Sequence, residues 1–137
     1  MLPVSLTFAG AFALIALWLG LRVSGLRRGA GVLIGDGGHP LIAARMRAQA
    51  NFVEYAPFIL ILMALIELAG GSPRWLWAAG AATVAARLLH AFGMDRQTSN
   101  PLRIAGAGVT WLVLLALAIW AIWLAAHGAP RQTIHYL

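Results

Sequence analysis

The stretch Arg45-Met-Arg-Ala-Gln-Ala-Asn-Phe-Val-Glu-Tyr-Ala-Pro57 places three polar side chains of different chemistry on one side of a predicted helix. Arg47, Asn51 and Glu54 are separated by four and three residues, and side chains at these spacings share a helix face. An apolar run from Phe58 to Ile66 follows directly. A cation, an amide and a carboxylate beside such a run are costly to keep inside a membrane, so this polar face predicts a functional site.

The composition indicates an integral membrane protein. Of the 137 residues, 61% are hydrophobic and 10% are charged, and the mean hydropathy is +0.82. A soluble chain of this length has too little interior to bury so much apolar surface, whereas a bilayer accepts it. The net charge of +6 comes from arginines, which lie mostly at predicted helix ends and suit topology and anionic lipid headgroups. No nucleic-acid-binding motif accompanies them, so nucleic acid is not an expected partner.

The order of apolar runs and turn signals predicts one domain, residues 1–137, that is an all-α transmembrane four-helix bundle. Gly93 is a candidate C-cap for the third helix. Asn100 and Pro101 match an N-cap and a first helical residue for the fourth. The predicted helices are approximately 2–28, 41–69, 74–92 and 101–126.

Arginine placement predicts the orientation of the bundle. The loops 29–40 and 94–100, with the helix ends beside them, hold most of the arginines, so the positive-inside rule puts both loops in the cytoplasm and both termini on the opposite side. The tail from His127 to Leu137 is expected to be exposed. Asp36 and Asp95 are interpreted as loop residues. Glu67 and Arg74 flank the outer turn and are expected to pair.

Two interpretations of Glu54 are open. In the first, Glu54 forms a structural ion pair, with Arg87 on the third helix as the candidate partner. In the second, Glu54 binds the ammonium group of a ligand, while Asn51 and Arg47 bind its amide and carboxylate groups. A zwitterionic, peptide-like ligand would match all three side chains.

Further polar residues lie on helices three and four. Arg87 is expected to join two helices, and His90 is either a satisfied core histidine or a wall of the site. Arg103 is either a surface arginine near headgroups or a residue that, with the N-terminus of helix four, stabilises an anion such as a thiolate. The chain has no cysteine, so any thiol must come from a substrate. No metal site is expected, because no second ligand lies at suitable spacing from His90.

The segment Arg47-Ala-Gln-Ala-Asn-Phe-Val-Glu-Tyr-Ala-Pro57 resembles the signature of the MAPEG superfamily, the membrane-associated proteins in eicosanoid and glutathione metabolism. It is most similar to the cysteinyl-leukotriene synthase form of that signature. The resemblance extends to Arg27-Arg28, to Ala86-Arg-Leu-Leu-His90 and to Asn100-Pro-Leu-Arg103, and covers roughly residues 2–126. The short loops are similar to those of the small bacterial branch, which implies a bacterial inner membrane.

This resemblance implies a homotrimer in which glutathione, as co-substrate, binds between neighbouring subunits. Arg103 or Arg28 would contact the sulfur and stabilise the thiolate, and Glu54 would bind the glutathione amine. The chain departs from the family where His90 and Met94 replace two tyrosines, and where Ile104 replaces a serine of the prostaglandin branch. The residues implied to bind glutathione are Arg27, Arg47, Gln49, Asn51, Glu54, Tyr55 and His90.

The resulting hypothesis is a glutathione-dependent membrane transferase or peroxidase whose thiolate attacks a hydrophobic electrophile or a lipid hydroperoxide. One alternative is a non-catalytic lipid-binding or scaffold protein of the same fold. A third hypothesis is a small proton-coupled exporter, against which the arginine beside Glu54 argues, because it would partly neutralise a site for cationic substrates. The second substrate stays open.

Overall fold

The computed structural model describes residues 1–127, and four α-helices account for most of them. Each helix begins at a proline, which suits the first helical position because its missing N–H has no intrahelical acceptor there. No β-strand occurs within residues 1–127, so the prediction of an all-α four-helix bundle is confirmed. The tail 128–137, predicted to be exposed, lies outside the described residues. The helices are α1 (Pro3–Ala30), α2 (Pro40–Leu68), α3 (Pro73–Asp95) and α4 (Pro101–His127).

Three of these helices, α1, α2 and α4, are long and apolar enough to cross a membrane. Helix α3 is more polar, since it carries Arg87 and His90 in its second half. Its 23 residues are nevertheless long enough, at about 1.5 Å per residue, for a hydrocarbon core of about 30 Å. The fourth span stays a prediction based on that length.

Aromatic side chains of α1 pack against α2 and α3 in the core of the bundle. The ring of Phe12 meets that of Phe52 edge to face, with centroids 6.1 Å apart, and Phe8 meets Trp77 at 5.3 Å. Gly80 on α3 is buried beneath Phe8, and a Cβ at that position would overlap the phenyl ring. The glycine therefore lets α1 and α3 approach closely around the aromatic core.

Glu67, near the end of α2, caps the beginning of α1. Its carboxylate accepts hydrogen bonds from the backbone N–H groups of Val4 and Ser5, at 3.0 and 2.8 Å, and from the Ser5 hydroxyl at 2.6 Å. These N–H groups lack intrahelical acceptors, and the negative charge suits the positive end of the helix dipole. The predicted pairing of Glu67 with Arg74 is wrong, because this cap occupies the carboxylate.

Asp95 joins three helices at the opposite end of the bundle. Its carboxylate pairs with Arg22 of α1 and with Arg45 of α2, the latter at 3.0 Å between Nε and Oδ1. The predictions of Asp95 as a loop residue and Gly93 as a C-cap are wrong, because α3 continues through Asp95. Gly93 is instead buried against α4.

We expect Asp95→Asn to lower the free energy of unfolding by about 2 kcal/mol, because two largely buried guanidinium groups lose their only carboxylate partner among the described residues. Unfolding of the detergent-purified protein by sodium dodecyl sulfate measures the effect. Asp36→Asn is the matched control, since it removes the same charge from a loop carboxylate that accepts one exposed hydrogen bond, from Gly38. Equal stability of the two variants would contradict the role of Asp95 in joining the three helices.

Candidate functional site

A groove of about 530 Å³ lies between α2, α3 and α4, near the end of the bundle where α4 begins. Helix α2 contributes two polar side chains, α3 contributes His90 and Met94, and α4 supplies a largely apolar wall below Arg103. The groove is therefore charged at one end and apolar along α4. Its lining residues are Arg47, Asn51, His90, Met94, Ser99, Arg103, Ile104, Ala107, Gly108 and Trp111.

Arg47 and Glu54 form an ion pair along α2, with 3.0 Å between Nη1 and Oε1. Their side chains are 61% and 44% exposed, so the pair lies on the surface of the single chain. The interpretation in which Glu54 pairs with Arg87 is wrong, because Glu54 lies on this exposed face of α2 while Arg87 is buried. The predicted polar face is thus divided. The side chains of Arg47 and Glu54 lie on the surface of the chain, whereas Asn51 faces α3.

Arg87 is the most deeply buried charged residue of the described chain, with 2% of its surface exposed. Its Nη2 donates to Oδ1 of Asn51 at 2.8 Å and lies 3.4 Å from Nδ1 of His90. Its Nη1 donates to the hydroxyl of Thr110 at 3.3 Å. One guanidinium therefore joins α2, α3 and α4 directly behind the groove, as the predicted helix-joining role requires, but through neutral acceptors.

Two glycines bring α3 and α4 into close contact around this network. A Cβ at Gly106 would lie 2.6 Å from the carbonyl oxygen of Ala86 and 2.6 Å from the backbone nitrogen of His90. A Cβ at Gly93 would lie 2.8 Å from the Cα of Arg103. These close approaches place Arg103 and His90 on adjoining walls of one groove.

Asn100 fixes the start of α4 and with it Arg103. Its Oδ1 accepts the backbone N–H of Arg103 at 3.1 Å, while its Nδ2 donates to the carbonyl oxygens of Gly93 and Thr98, both at 2.8 Å. The predicted N-cap is confirmed. Because Arg103 lies in the first turn, its exposed guanidinium and the helix N-terminus both favour an anion at this end of the groove.

The single chain brings four of the predicted site residues to the groove: Arg47, Asn51, His90 and Arg103. Glu54 reaches its edge through the ion pair with Arg47. The other predicted residues lie elsewhere, since none of them lines the groove. These are Arg27, Arg28, Gln49 and Tyr55.

Arg27 supports the loop between α1 and α2, donating from Nε to the carbonyl oxygen of Gly35 at 2.9 Å. Arg28 is exposed at the end of α1. Gln49 lies against α1, where a Cβ on Gly20 would be 3.5 Å from its amide nitrogen. Tyr55 is half-buried on α2. In one chain none of these four side chains lines the groove.

Thr110 is a functional candidate that the sequence analysis missed. It is fully buried, and its hydroxyl donates to the carbonyl oxygen of Gly106 at 2.7 Å while accepting from Arg87. A hydroxyl in an otherwise apolar helix is a signal that could have been used, because polar groups in membrane helices tend to face the protein interior. No cluster of three or more metal-ligating side chains occurs within residues 1–127.

The fold and the groove define an α-helical integral membrane protein with a polar site at one end of its helices. The MAPEG family model matches residues 5–123, and the chain belongs to this family. Inner membrane protein YecN of Escherichia coli K12 is 30% identical over 120 residues, which cover 88% of this chain and 91% of YecN. YecN of Escherichia coli O6:H1 matches with the same figures. The location of these relatives agrees with the predicted bacterial inner membrane.

We expect Gly106→Ala to destabilise the protein by about 1–3 kcal/mol, because the added methyl group overlaps the backbone of α3 and separates α3 from α4. Gly108→Ala is the matched control: it lies two residues further on the same helix, and its Cβ would meet nothing within 4 Å. Thermal unfolding in detergent measures both variants. A Gly106→Ala protein as stable as Gly108→Ala would contradict the close approach of the two helices.

Proposed function

We propose that this protein is a glutathione-dependent membrane transferase or peroxidase. The observation that carries the proposal is the groove in which Arg47, Asn51, His90 and Arg103 converge, with Glu54 at its edge. This set contains separate partners for anionic groups and for one ammonium group. Membership of the MAPEG family supports the same choice of ligand.

The charges around the groove match those of glutathione. Arg47 and Arg103 line the groove, and Arg87 is buried directly behind it, so three positive charges lie close together. Glu54 at the edge adds one negative charge. Glutathione carries two carboxylates and one ammonium group, and its thiolate adds a third negative charge. The local excess of positive charge therefore favours the thiolate form over the thiol.

The reaction follows from the position of Arg103 at the N-terminus of α4. With its positive charge near the sulfur, the thiolate attacks an electrophilic carbon and forms a carbon–sulfur bond, while the displaced electron pair leaves with the leaving group. With a lipid hydroperoxide, the thiolate attacks the terminal oxygen and releases the lipid alcohol after proton uptake from water. A second glutathione then reduces the resulting sulfenic acid, giving glutathione disulfide and water.

A homotrimer is part of the proposal because the site of one chain is incomplete. The exposed Arg47–Glu54 pair lies on the side of a membrane helix, where contact with lipid is costly, so a neighbouring copy would shield it. A neighbour would also supply the predicted residues that lie away from the groove, Arg27 and Arg28 among them. We place the groove and the loops 29–40 and 94–100 on the cytoplasmic side.

A lipid-binding protein without catalysis is the second candidate. The observation that favours it is the apolar α4 wall, where Ile104 and Trp111 are 63% and 56% exposed beside the charged end of the groove. Such a wall accepts an acyl chain whether or not the protein catalyses a reaction. Glutathione binding distinguishes the two candidates.

We expect glutathione titrated into the detergent-purified protein at neutral pH to give a saturable ultraviolet thiolate signal. Arg103→Ala should lower the signal at saturation at least about tenfold, because the charge nearest the proposed sulfur position is removed. Glu54→Ala should instead weaken binding about tenfold, since the ammonium group loses its carboxylate, while the thiolate signal at saturation is kept. Calorimetry gives the binding constants.

Arg96→Ala is the control for Arg103→Ala. Arg96 is an exposed arginine at the same end of the bundle and does not line the groove, so its removal should leave both quantities unchanged. Equal loss of binding and thiolate in the Arg103 and Glu54 variants would refute their separate roles. Absence of glutathione binding altogether would favour the lipid-binding candidate.

A further inference from the structure

The buried guanidinium of Arg87 can only donate hydrogen bonds, and this restricts the neighbours that face the groove. Its Nη2 contacts Asn51, and the acceptor there must be the amide oxygen. The same nitrogen lies 3.4 Å from Nδ1 of His90, so this ring nitrogen must be the unprotonated one. A proton on Nδ1 would place two donors against each other.

We propose that Arg87 is a positioning residue that makes the inner wall of the groove a hydrogen-bond donor. With its oxygen held by Arg87, Asn51 presents its NH₂ group to the groove. With Nδ1 held as the acceptor, the neutral ring of His90 carries its proton on Nε2. The groove therefore recognises an anionic group at this wall, and this inference rests on the proposed function in taking that anion to be the thiolate of glutathione.

The other side chains around the groove reinforce this polarity. Arg47 and Arg103 have only donors, as does the indole of Trp111. No carboxylate lines the groove within the described part of the chain, since Glu54 stays beside Arg47 at the edge. The exceptions are the Ser99 hydroxyl, at the exposed rim, and the weakly accepting sulfur of Met94. A cation or a pure donor has no strong partner at the inner wall.

Thr110 keeps Arg87 in place for this role. Its hydroxyl proton is used by the carbonyl oxygen of Gly106, at 2.7 Å, so a lone pair of the same oxygen faces Nη1 of Arg87. Thr110 of α4 thus binds Nη1 of Arg87, and Nη2 of the same guanidinium contacts Asn51 and His90. Arg87 thus fixes the orientation of the Asn51 amide and the tautomer of the His90 ring through one contact to each.

The tautomer of His90 tests the proposal in the unmodified protein without any ligand. Nitrogen-15 NMR of histidine-labelled protein in detergent distinguishes the two ring nitrogens, and His90→Gln assigns the signal. We expect Nε2 to carry the proton and Nδ1 to be unprotonated. A His90 ring protonated at Nδ1 would overturn the proposal, whatever the variants or the ligand do.

Binding measurements test the consequence for ligand choice. Glutathione sulfonate carries a permanent negative charge at the sulfur, whereas S-methylglutathione carries none, so calorimetry should show a preference for the sulfonate of about tenfold or more. Arg87→Lys keeps the charge but cannot hold Asn51 and His90 together, and should remove most of this preference. An Arg87→Lys protein with the full preference would show that charge alone acts, which would overturn the positioning role.

Threonine variants give a milder test with a matched control. Thr110→Val removes the acceptor that holds Arg87, and should reduce the preference for the sulfonate and perturb the His90 nitrogen signals. Thr83→Val removes an equally buried hydroxyl that bonds only to the carbonyl oxygen of Ala79 on its own helix, and should do neither. Identical behaviour of the two variants would contradict the proposal. The predicted tautomer in a protein that binds neither glutathione derivative would support the Arg87 role and refute the glutathione assignment.

Discussion

A guanidinium buried among membrane helices must find its acceptors within the protein, because lipid offers none. The two terminal nitrogens of Arg87 meet this requirement with Asn51 of α2, Thr110 of α4 and His90 of its own helix, while its Nε has no hydrogen-bond partner among the described residues. The acceptors on α2 and α4 are available only if these two helices lie in their observed positions against α3. The cost of burying this charge therefore makes the arrangement of α2, α3 and α4 specific, and the groove lies between the same three helices.

Two carboxylates also join helices, one at each end of the bundle. At the end where α4 begins, Asp95 joins Arg22 and Arg45, and at the other Glu67 caps α1, so α1 is connected to its neighbours by polar contacts as well as by aromatic packing. Small residues complete the arrangement, because only a glycine at position 106 allows α4 to approach His90 so closely. Fold and site consequently depend on the same few contacts.

Helical spacing and capping rules predicted the four helices, the N-cap of α4 and the groove residues on α2, since these depend on neighbours in sequence. The same rules misplaced Asp95, Glu67 and the partner of Arg87, because spacing shows which residues share a face and not which helix lies opposite. Thr110 was missed for this reason: its importance comes from Arg87, 23 positions away. Arg28 and Tyr55 illustrate a further limit, since the roles given to them by family resemblance require a second copy of the chain.

We propose that glutathione, an anionic ligand with one ammonium group, binds between α2, α3 and α4. The most direct measurement is an experimental structure of the detergent-purified protein with bound glutathione sulfonate. We expect a ligand whose sulfonate lies near Arg103 and accepts hydrogen bonds from Asn51 and His90, and whose ammonium group contacts Glu54. A ligand bound elsewhere, or an empty groove at saturating ligand, would contradict it.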